Sequence, residues 1–343
     1  MAIFFDYLCV MTLSYSFIIP VYNRPQEIKE LLESFTLLRF PDPFEIVIVE
    51  DGSTLSSEEV INEYKSELNI SYYFKPNSGP GDSRNYGMER ANGNYFIILD
   101  SDCLLPSHYL DTVDTFLKKR YFDCYGGADA AHKSFTSLQK AINYVMTSFL
   151  TTGGIRGSKR SISNFEPRSF NMGISKSAFE ETGGFARIHP GEDPDLSQRI
   201  LKAGFKSTFL PDAYVFHKRR ISWQKFYTQV KKFGLVRPIL NSWHPQAAKV
   251  TFWFPTCFII FVILSILGAV FINGWCISPL VMYLTIIFID ASVKNNSIKI
   301  GGMAVVALFV QFFGYGLAFL RSSYHIGLLK KDPVKQFPNL FFK

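Results

Sequence analysis

Two aspartates stand two residues apart at the end of an apolar run, Tyr95-Phe96-Ile97-Ile98-Leu99-Asp100-Ser101-Asp102. Carboxylates this close repel each other unless a cation comes between them. Their hard oxygens suit Mg2+ or Mn2+ beside a phosphate-bearing substrate. An acid pair after a strand also serves as a turn cap, so on its own the pair leaves both readings open. A second candidate is Asn77-Ser78-Gly79-Pro80-Gly81-Asp82-Ser83-Arg84-Asn85, a glycine-rich turn entering a helix that contains Tyr86 to Ala91. Backbone amides at a helix start attract phosphate or acidic ligands, and Arg84 adds a planar fork of donors. The third is Gly191-Glu192-Asp193, which opens a helix through Leu201 whose N-terminus favours acids. Arg156, Lys159 and Arg160 cluster in residues 151–163, where a solvated surface loop is favoured over a phosphate clamp.

Hydrophobic spacing marks the elements that must hold these groups. Residues 15–20 read as a strand, followed by a loop and a helix from Pro25 to about Leu38 with an apolar stripe of Ile28, Leu31, Leu32 and Phe35. Residues 44–49 form a second strand ending in Glu50-Asp51-Gly52-Ser53, and Ser56 or Ser57 caps the next helix. Residues 70–74 make a third strand. The run 95–99 is a fourth, buried one, being aromatic and β-branched and bounded by Asn92-Gly93-Asn94 and Pro106. Residues 107–119 are helical, 122–126 strand-like, 137–150 amphipathic, and 170–174, 205–209 and 214–216 are short strands, the last running into His217. Strands alternating with helices make a largely parallel sheet with right-handed crossovers, whose ligands sit at the carboxyl ends of the strands.

The 343 residues carry a formal net charge of +7; nearly all the charged side chains lie before residue 250, whereas 252–289 and 301–320 contain no Asp, Glu, Lys or Arg. This implies a soluble domain followed by a membrane-embedded region, with lipid headgroups rather than nucleic acid as the anionic partner. Segments 252–272 and 301–320 are long enough to cross a bilayer; 277–289 is short, and three hydrophobic helices are expected. Arg321, Lys330, Lys331, Lys335 and Lys343 against Asp332 favour a cytosolic tail. Three crossings would put that tail opposite the soluble domain, and two crossings with a re-entrant middle segment would put them together. From Trp223, apolar Phe226, Tyr227, Val230, Phe233 and Gly234 recur at helical spacing with Lys225, Lys231, Lys232 and Arg237 on other faces, which suits the headgroup layer or packing on the domain. Gly314 and Gly316 allow close helix packing. The five cysteines lack metal-ligand spacing and suit a reducing compartment. Residues 1–10 carry Asp6 in place of a basic leader and make a poor signal peptide, leaving Met1 or Met11 as the start.

Five motifs in order resemble the family 2 class of inverting glycosyltransferases with a GT-A fold. They are Ile18-Ile19-Pro20-Val21-Tyr22-Asn23-Arg24-Pro25, Val49-Glu50-Asp51-Gly52-Ser53, residues 77–85, Asp100-Ser101-Asp102 and Gly191-Glu192-Asp193. The apolar C-terminal part is similar to membrane-attached bacterial members. The resemblance implies an α/β GT-A nucleotide-sugar-binding fold with a mostly parallel central sheet, followed by transmembrane helices. Its divisions are an extension (1–14), the catalytic domain (15–220), an amphipathic interface region (221–249), a transmembrane region (250–320) and a basic tail (321–343).

By the same resemblance, Asp51 contacts the nucleotide base and Pro20, Tyr22 and Asn23 line its pocket. Asn77, Gly79, Arg84 and Asp100 belong to the nucleotide-sugar site. Asp102 and Asp100 hold a divalent cation, Mg2+ or Mn2+, with His217 as a further ligand or else a packed strand-end histidine. Asp193, in its pair with Glu192, is the base for the acceptor. The implied enzyme is a metal-dependent transferase moving one sugar from a nucleotide-diphospho-sugar to a hydroxyl of a lipid-linked or cell-surface glycan, in cell-surface polysaccharide biosynthesis. It would be a multi-pass protein of the bacterial cytoplasmic membrane with its catalytic domain in the cytoplasm. Trp223-Gln224-Lys225 does not match the Gln-x-x-Arg-Trp motif of processive synthases, which argues for one sugar per encounter. The alternatives are transfer onto polyprenyl phosphate and a non-catalytic nucleotide-sugar-binding membrane protein.

Overall fold

The computed structural model describes residues 12–130, 135–152, 165–217 and 222–342, with the side chain of His217 not described. Residues 1–11 of the expected extension, 153–163 of the expected basic loop with Arg156, Lys159 and Arg160, and Lys218-Arg219-Arg220 lie outside the described residues. Eight strands form one sheet: β1 (Tyr15–Val21), β2 (Glu45–Asp51), β3 (Ile70–Lys75), β4 (Tyr95–Leu99), β5 (Cys103–Leu104), β6 (Cys124–Ala130), β7 (Asn171–Ser175) and β8 (Ser207–His217). Their order is β3-β2-β1-β4-β7-β6-β8-β5. β1, β2, β3 and β4 run parallel, as do β6 and β8, while β7 is antiparallel to both its neighbours.

The central strands are apolar on both faces because both are covered. Phe17, Ile19, Ile46, Ile48, Tyr95, Ile97 and Leu99 face α1 (Pro25–Thr36) and, beyond α2 (Glu58–Tyr64) and α3 (Pro80–Arg90), α4 (Tyr109–Lys119). Ile18, Val47, Val49, Phe96 and Ile98 face α3. After α5 (Ser137–Thr147) and the single turn α6 (Phe149–Thr152), the same face is covered by α7 (Lys176–Thr182) and α8 (Glu192–Lys202). In α3 the missing side chain of Gly87 lets the helix press on Ile18 and Val49.

β4 has the bounds its composition predicts, and three other elements differ from expectation. α3 starts at Pro80 rather than near Tyr86, because proline is pre-shaped for the first helical position and Asp82 suits the first turn. Ser175, capping through its hydroxyl to the Ala178 amide at 3.2 Å, starts an unexpected helix, α7. The two strands expected at 205–209 and 214–216 are one, β8. It tolerates Pro211 because its register with β6 shifts between Gly127 and Asp129, where the ladder is already interrupted.

The C-terminal part comprises α9 (Trp223–Trp243), α10 (Phe254–Phe271), α11 (Ser278–Asn295) and α12 (Ile298–Ser322). Three stretches, Val250–Phe271, Gly274–Asn295 and Ile298–Leu328, are long and apolar enough to cross a membrane. The middle one outgrows its expected 277–289 because its helix continues through Asp290 and Lys294, which pair with each other at 2.8 Å, while Asp290 also accepts from the Tyr144 hydroxyl at 2.6 Å. α9 lies along α12: Gly234 faces the Tyr315 carbonyl and Ala318, and Gly314 faces Val230 and Tyr227. Gly316 faces the Pro255 carbonyl, so the glycines do allow close approach.

The tail turns back. Phe337 and Leu340 join Ile188, Val236, Ile239, Leu240 and Ile326 in a small core of their own. Phe341 bridges antiparallel to Ile188, and the His189 amide donates to the Leu340 carbonyl at 2.8 Å. The start of α10 and the end of α12 also meet, with the Trp253 and Phe319 rings 4.9 Å apart. The apolar unit therefore begins and ends beside the globular domain. An arrangement with tail and domain on opposite membrane faces is incompatible with that pairing. Gly314→Leu should wedge α9 from α12 and cost about 1–3 kcal/mol, read as a lower melting temperature of the purified protein in detergent.

Candidate functional site

The site lies where β1, β2, β3 and β4 end and α3 and α8 begin. Arg84, in α3 and only 4% exposed, joins these parts. Its Nη2 donates to Asp100 Oδ1 at 2.8 Å and its Nη1 to Glu192 Oε1 at 3.3 Å, with the guanidinium 5.3 Å from the Phe185 ring centroid. Burial disfavours the charge, but Asp100, Glu192 and Asp193 outweigh it, and the Arg84 pKa is raised.

On one side, the loop after β3 wraps the carboxylate of Asp51. Asp51 Oδ1 accepts from the Ser78 amide at 3.0 Å and from Lys75 Nζ at 2.7 Å. Its Oδ2 accepts from the Gly79 amide at 2.9 Å and from Asn77 Nδ2 at 3.3 Å. Lys75 also reaches Asp82 Oδ2 at 3.2 Å and the Ser78 hydroxyl. Lysine at the end of an apolar strand, just ahead of Asn-Ser-Gly, was the available signal for this buried cation. Sequence reasoning missed it.

Asn23, with φ +55°, ties the ends of β1 and β2 together. Its Oδ1 accepts from the Thr54 and Leu55 amides at 2.8 Å each, and its own amide donates to Ser53 Oγ at 2.8 Å. Pro20 pairs with Val49 at the same edge, and Tyr22 stands 52% exposed beside it. Asp102 forms an ion pair with Arg24 at 3.0 Å. The backbone of His217 pairs with Cys103, one residue past Asp102, and its side chain lies outside the description. Among the described residues no three His, Cys, Asp or Glu side chains form a ready metal cage. Two carboxylates at a strand end fit an ion whose other ligands are water and substrate phosphate.

Across Arg84 stands the acidic pair. His189 Nδ1 lies 2.9 Å from Glu192 Oε1. Burial opposes ionisation of Glu192, but His189 and Arg84 prevail and hold its pKa below the usual carboxylate value. Asp193 is the reverse case: burial and the charge of Glu192 raise its pKa against the partial offset of Arg84, Arg168 and Ser169. Its Oδ1 is buried without a hydrogen-bond partner among the described residues. Asp195, a further residue that sequence reasoning missed, fixes α8. Its carboxylate lies 2.8 Å from His244 Nε2 and accepts from Arg199 Nε at 2.9 Å and Nη2 at 2.7 Å. The structure thus gathers Arg84, Asp100, Glu192 and Asp193 into one cluster and Asp51, Asn77 and Gly79 into another, joined through α3.

Residues 16–183 match the family model for glycosyl transferase family 2. An uncharacterized glycosyltransferase of Rickettsia bellii is 36% identical over 107 residues, covering 31% of this chain and 15% of that protein. The poly(ribitol-phosphate) beta-N-acetylglucosaminyltransferase TarS of Staphylococcus aureus is 32% identical over 114 residues, covering 32% of this chain and 20% of that protein. The matched stretch is thus a small part of either relative. Among solved structures, the mannosyltransferase PcManGT from Pyrobaculum calidifontis, in complex with GDP-Man and Mn2+, shares the fold. Its TM-score is 0.57 at 15% identity, over 93% of this chain and 88% of that one. With five motifs in family order, the sheet that carries them and the family match, residues 16–183 form a glycosyltransferase family 2 region on a GT-A fold.

Proposed function

We propose that this transferase moves one sugar, with inversion, from a nucleotide-diphospho-sugar to a hydroxyl of a lipid-linked or cell-surface glycan. The observation that carries the reading is Asp193: a buried carboxylate with one unpaired oxygen and a raised pKa, next to the Arg84 cluster. The nucleotide would lie against Asp51 and the Pro20-to-Asn23 edge, with the diphosphate toward Asn77, Gly79 and Arg84. PcManGT, the fold relative, is described with GDP-Man and Mn2+, and TarS by its name transfers N-acetylglucosamine to poly(ribitol-phosphate); both fit a nucleotide-sugar donor.

Asp102 and Asp100, with His217 as a further ligand, would hold a divalent cation. When bound, that ion neutralises charge developing on the departing diphosphate. The protein's own groups do the rest. Arg84 holds Asp100 in place and adds positive field on the leaving side. The acceptor oxygen attacks the anomeric carbon as the bond from carbon to diphosphate breaks, and its proton passes to Asp193. A raised pKa makes that carboxylate a better proton acceptor. Glu192, held anionic by Arg84 and His189, keeps that pKa high.

Arg168, one of the groups that partly offset the raised pKa of Asp193, favours a second reading in which the acceptor is the phosphate of a polyprenyl lipid. An anionic acceptor needs little help from a base. The cytoplasmic-membrane placement with a cytoplasmic catalytic domain belongs to the same proposal. It is supported by the three apolar helices and the basic tail that packs beside the domain.

Asp102→Ala and Asp193→Ala should each lower transfer at least about a hundredfold in the folded protein. Nucleotide-sugar binding should survive better in the Asp193 variant, and product mass spectrometry with a panel of donors reads both. Chelation should stop transfer and added Mg2+ or Mn2+ restore it. Substantial turnover with either aspartate absent would remove its assigned role, and near-normal transfer by Asp193→Asn with a lipid-phosphate product would select the second reading.

The raised pKa of Asp193 also has a sign for stability. Its ionised form is disfavoured on folding, so the penalty is absent below the unfolded carboxyl value and complete above the raised folded one. Asp193→Asn should therefore melt above the parent at neutral pH, with the gap closing as pH falls through the raised value. Glu192 behaves oppositely: its stabilisation is present above the unfolded value and lost as pH falls through the lowered one.

A further inference from the structure

The returning segment 337–342 reaches the glycine turn itself. A Cβ on Gly79 would collide with the ring of Phe342, so that ring lies directly on the residue that opens α3. The same ring is 6.1 Å from that of His189, whose Nδ1 is 2.9 Å from Glu192. The Phe342 amide donates to the Arg187 carbonyl at 2.9 Å, on the other side of the Ile188 to Phe341 bridge from the bond between His189 and Leu340. Behind it, Phe337 and Leu340 are anchored against Val236, Ile239 and Leu240 of α9. One aromatic ring thus joins the turn on the donor side to the histidine behind the acidic pair, on a strap held by backbone bonds and a core of its own.

We propose that Phe342 is a positioning residue for the donor: a fixed apolar wall that holds the Gly79 turn and His189 together and keeps water from one side of the diphosphate. This rests on the reading of Asn77, Gly79 and Arg84 as the donor site. Amides and a guanidinium act more strongly on an anion when one flank is dry. A group that supports the bound donor and the transition state alike changes binding, not turnover.

The experiment measures binding of nucleoside diphosphates of uridine, guanosine, cytidine and thymidine to the full chain in detergent, by calorimetry with Mg2+ present. Phe342→Ala should weaken the best of them about tenfold, equivalent to about 1.4 kcal/mol, while Phe342→Tyr keeps affinity within about twofold. Ile188 and Phe341 face each other as a non-hydrogen-bonded antiparallel pair, close enough for a disulfide. The Ile188→Cys/Phe341→Cys variant, oxidised, should bind as well as when reduced. Unchanged affinity in Phe342→Ala overturns the proposal. So does tighter binding, or binding lost in the oxidised pair and regained with reductant, since either makes the strap a plug that must leave. If Phe342→Ala does not fold, the locked pair decides alone. A parent protein that binds none of the four overturns the donor-site reading itself, a result distinct from equal binding by parent and variants.

Discussion

A single buried guanidinium surrounded by acids sets the geometry of this site. Arg84 is taken out of water at a cost that only charged, hydrogen-bonded partners offset, and it finds them on two elements distant in sequence. Removing either partner strands a buried charge. The exit of β4 and the start of α8 therefore hold a fixed relation, although 91 residues and three intervening strands separate Asp100 from Glu192. The same cation splits the behaviour of the neighbouring acids. Glu192 lies in contact with it and stays ionised, whereas Asp193 receives burial and a like charge with less relief.

The proposed donor side is organised by saturation. Asp51 accepts from two backbone amides, an asparagine and a lysine, so three donors of the loop 76–79 and Lys75 converge on one carboxylate. Asn23 does the same between β1 and β2. Polar groups at strand ends that are already paired do not have to be ordered when a ligand arrives, and that lowers the cost of binding.

Much of the first half of the fold was legible in the sequence because β1, β2 and β4 are apolar on both faces and each ends in a polar motif. Pattern and punctuation agree there. The site residues were placed by their motifs, and Arg84, Asp100 and the Glu192–Asp193 pair do converge. What pattern could not supply was pairing between distant segments. Lys75, His189, Asp195 and His244 carry ordinary local signals, and their roles exist only once β3, α8 and α9 are brought together. β7 reads as a strand, but its direction depends on the path through α5 and α6 and not on its five residues. The packing of the tail was not legible for a related reason. Its charges speak only to the side of the membrane, while Phe337, Leu340 and Phe341 are too few to signal a core until Ile188 and α9 are beside them.

The hydroxyl of Tyr144 on Asp290, that of Tyr283 on the Leu150 carbonyl and the amide of Gln311 on the Val145 carbonyl fasten α5 and α6 to α11 and α12. α5 and α6 belong to the path between β6 and β7, inside the globular domain's own sheet. The catalytic unit is accordingly not a head on a swivelling stalk. Three hydrogen bonds tie it to the greasy helices, so under the proposed function the depth of those helices would dictate how far from the lipid surface a sugar can be delivered.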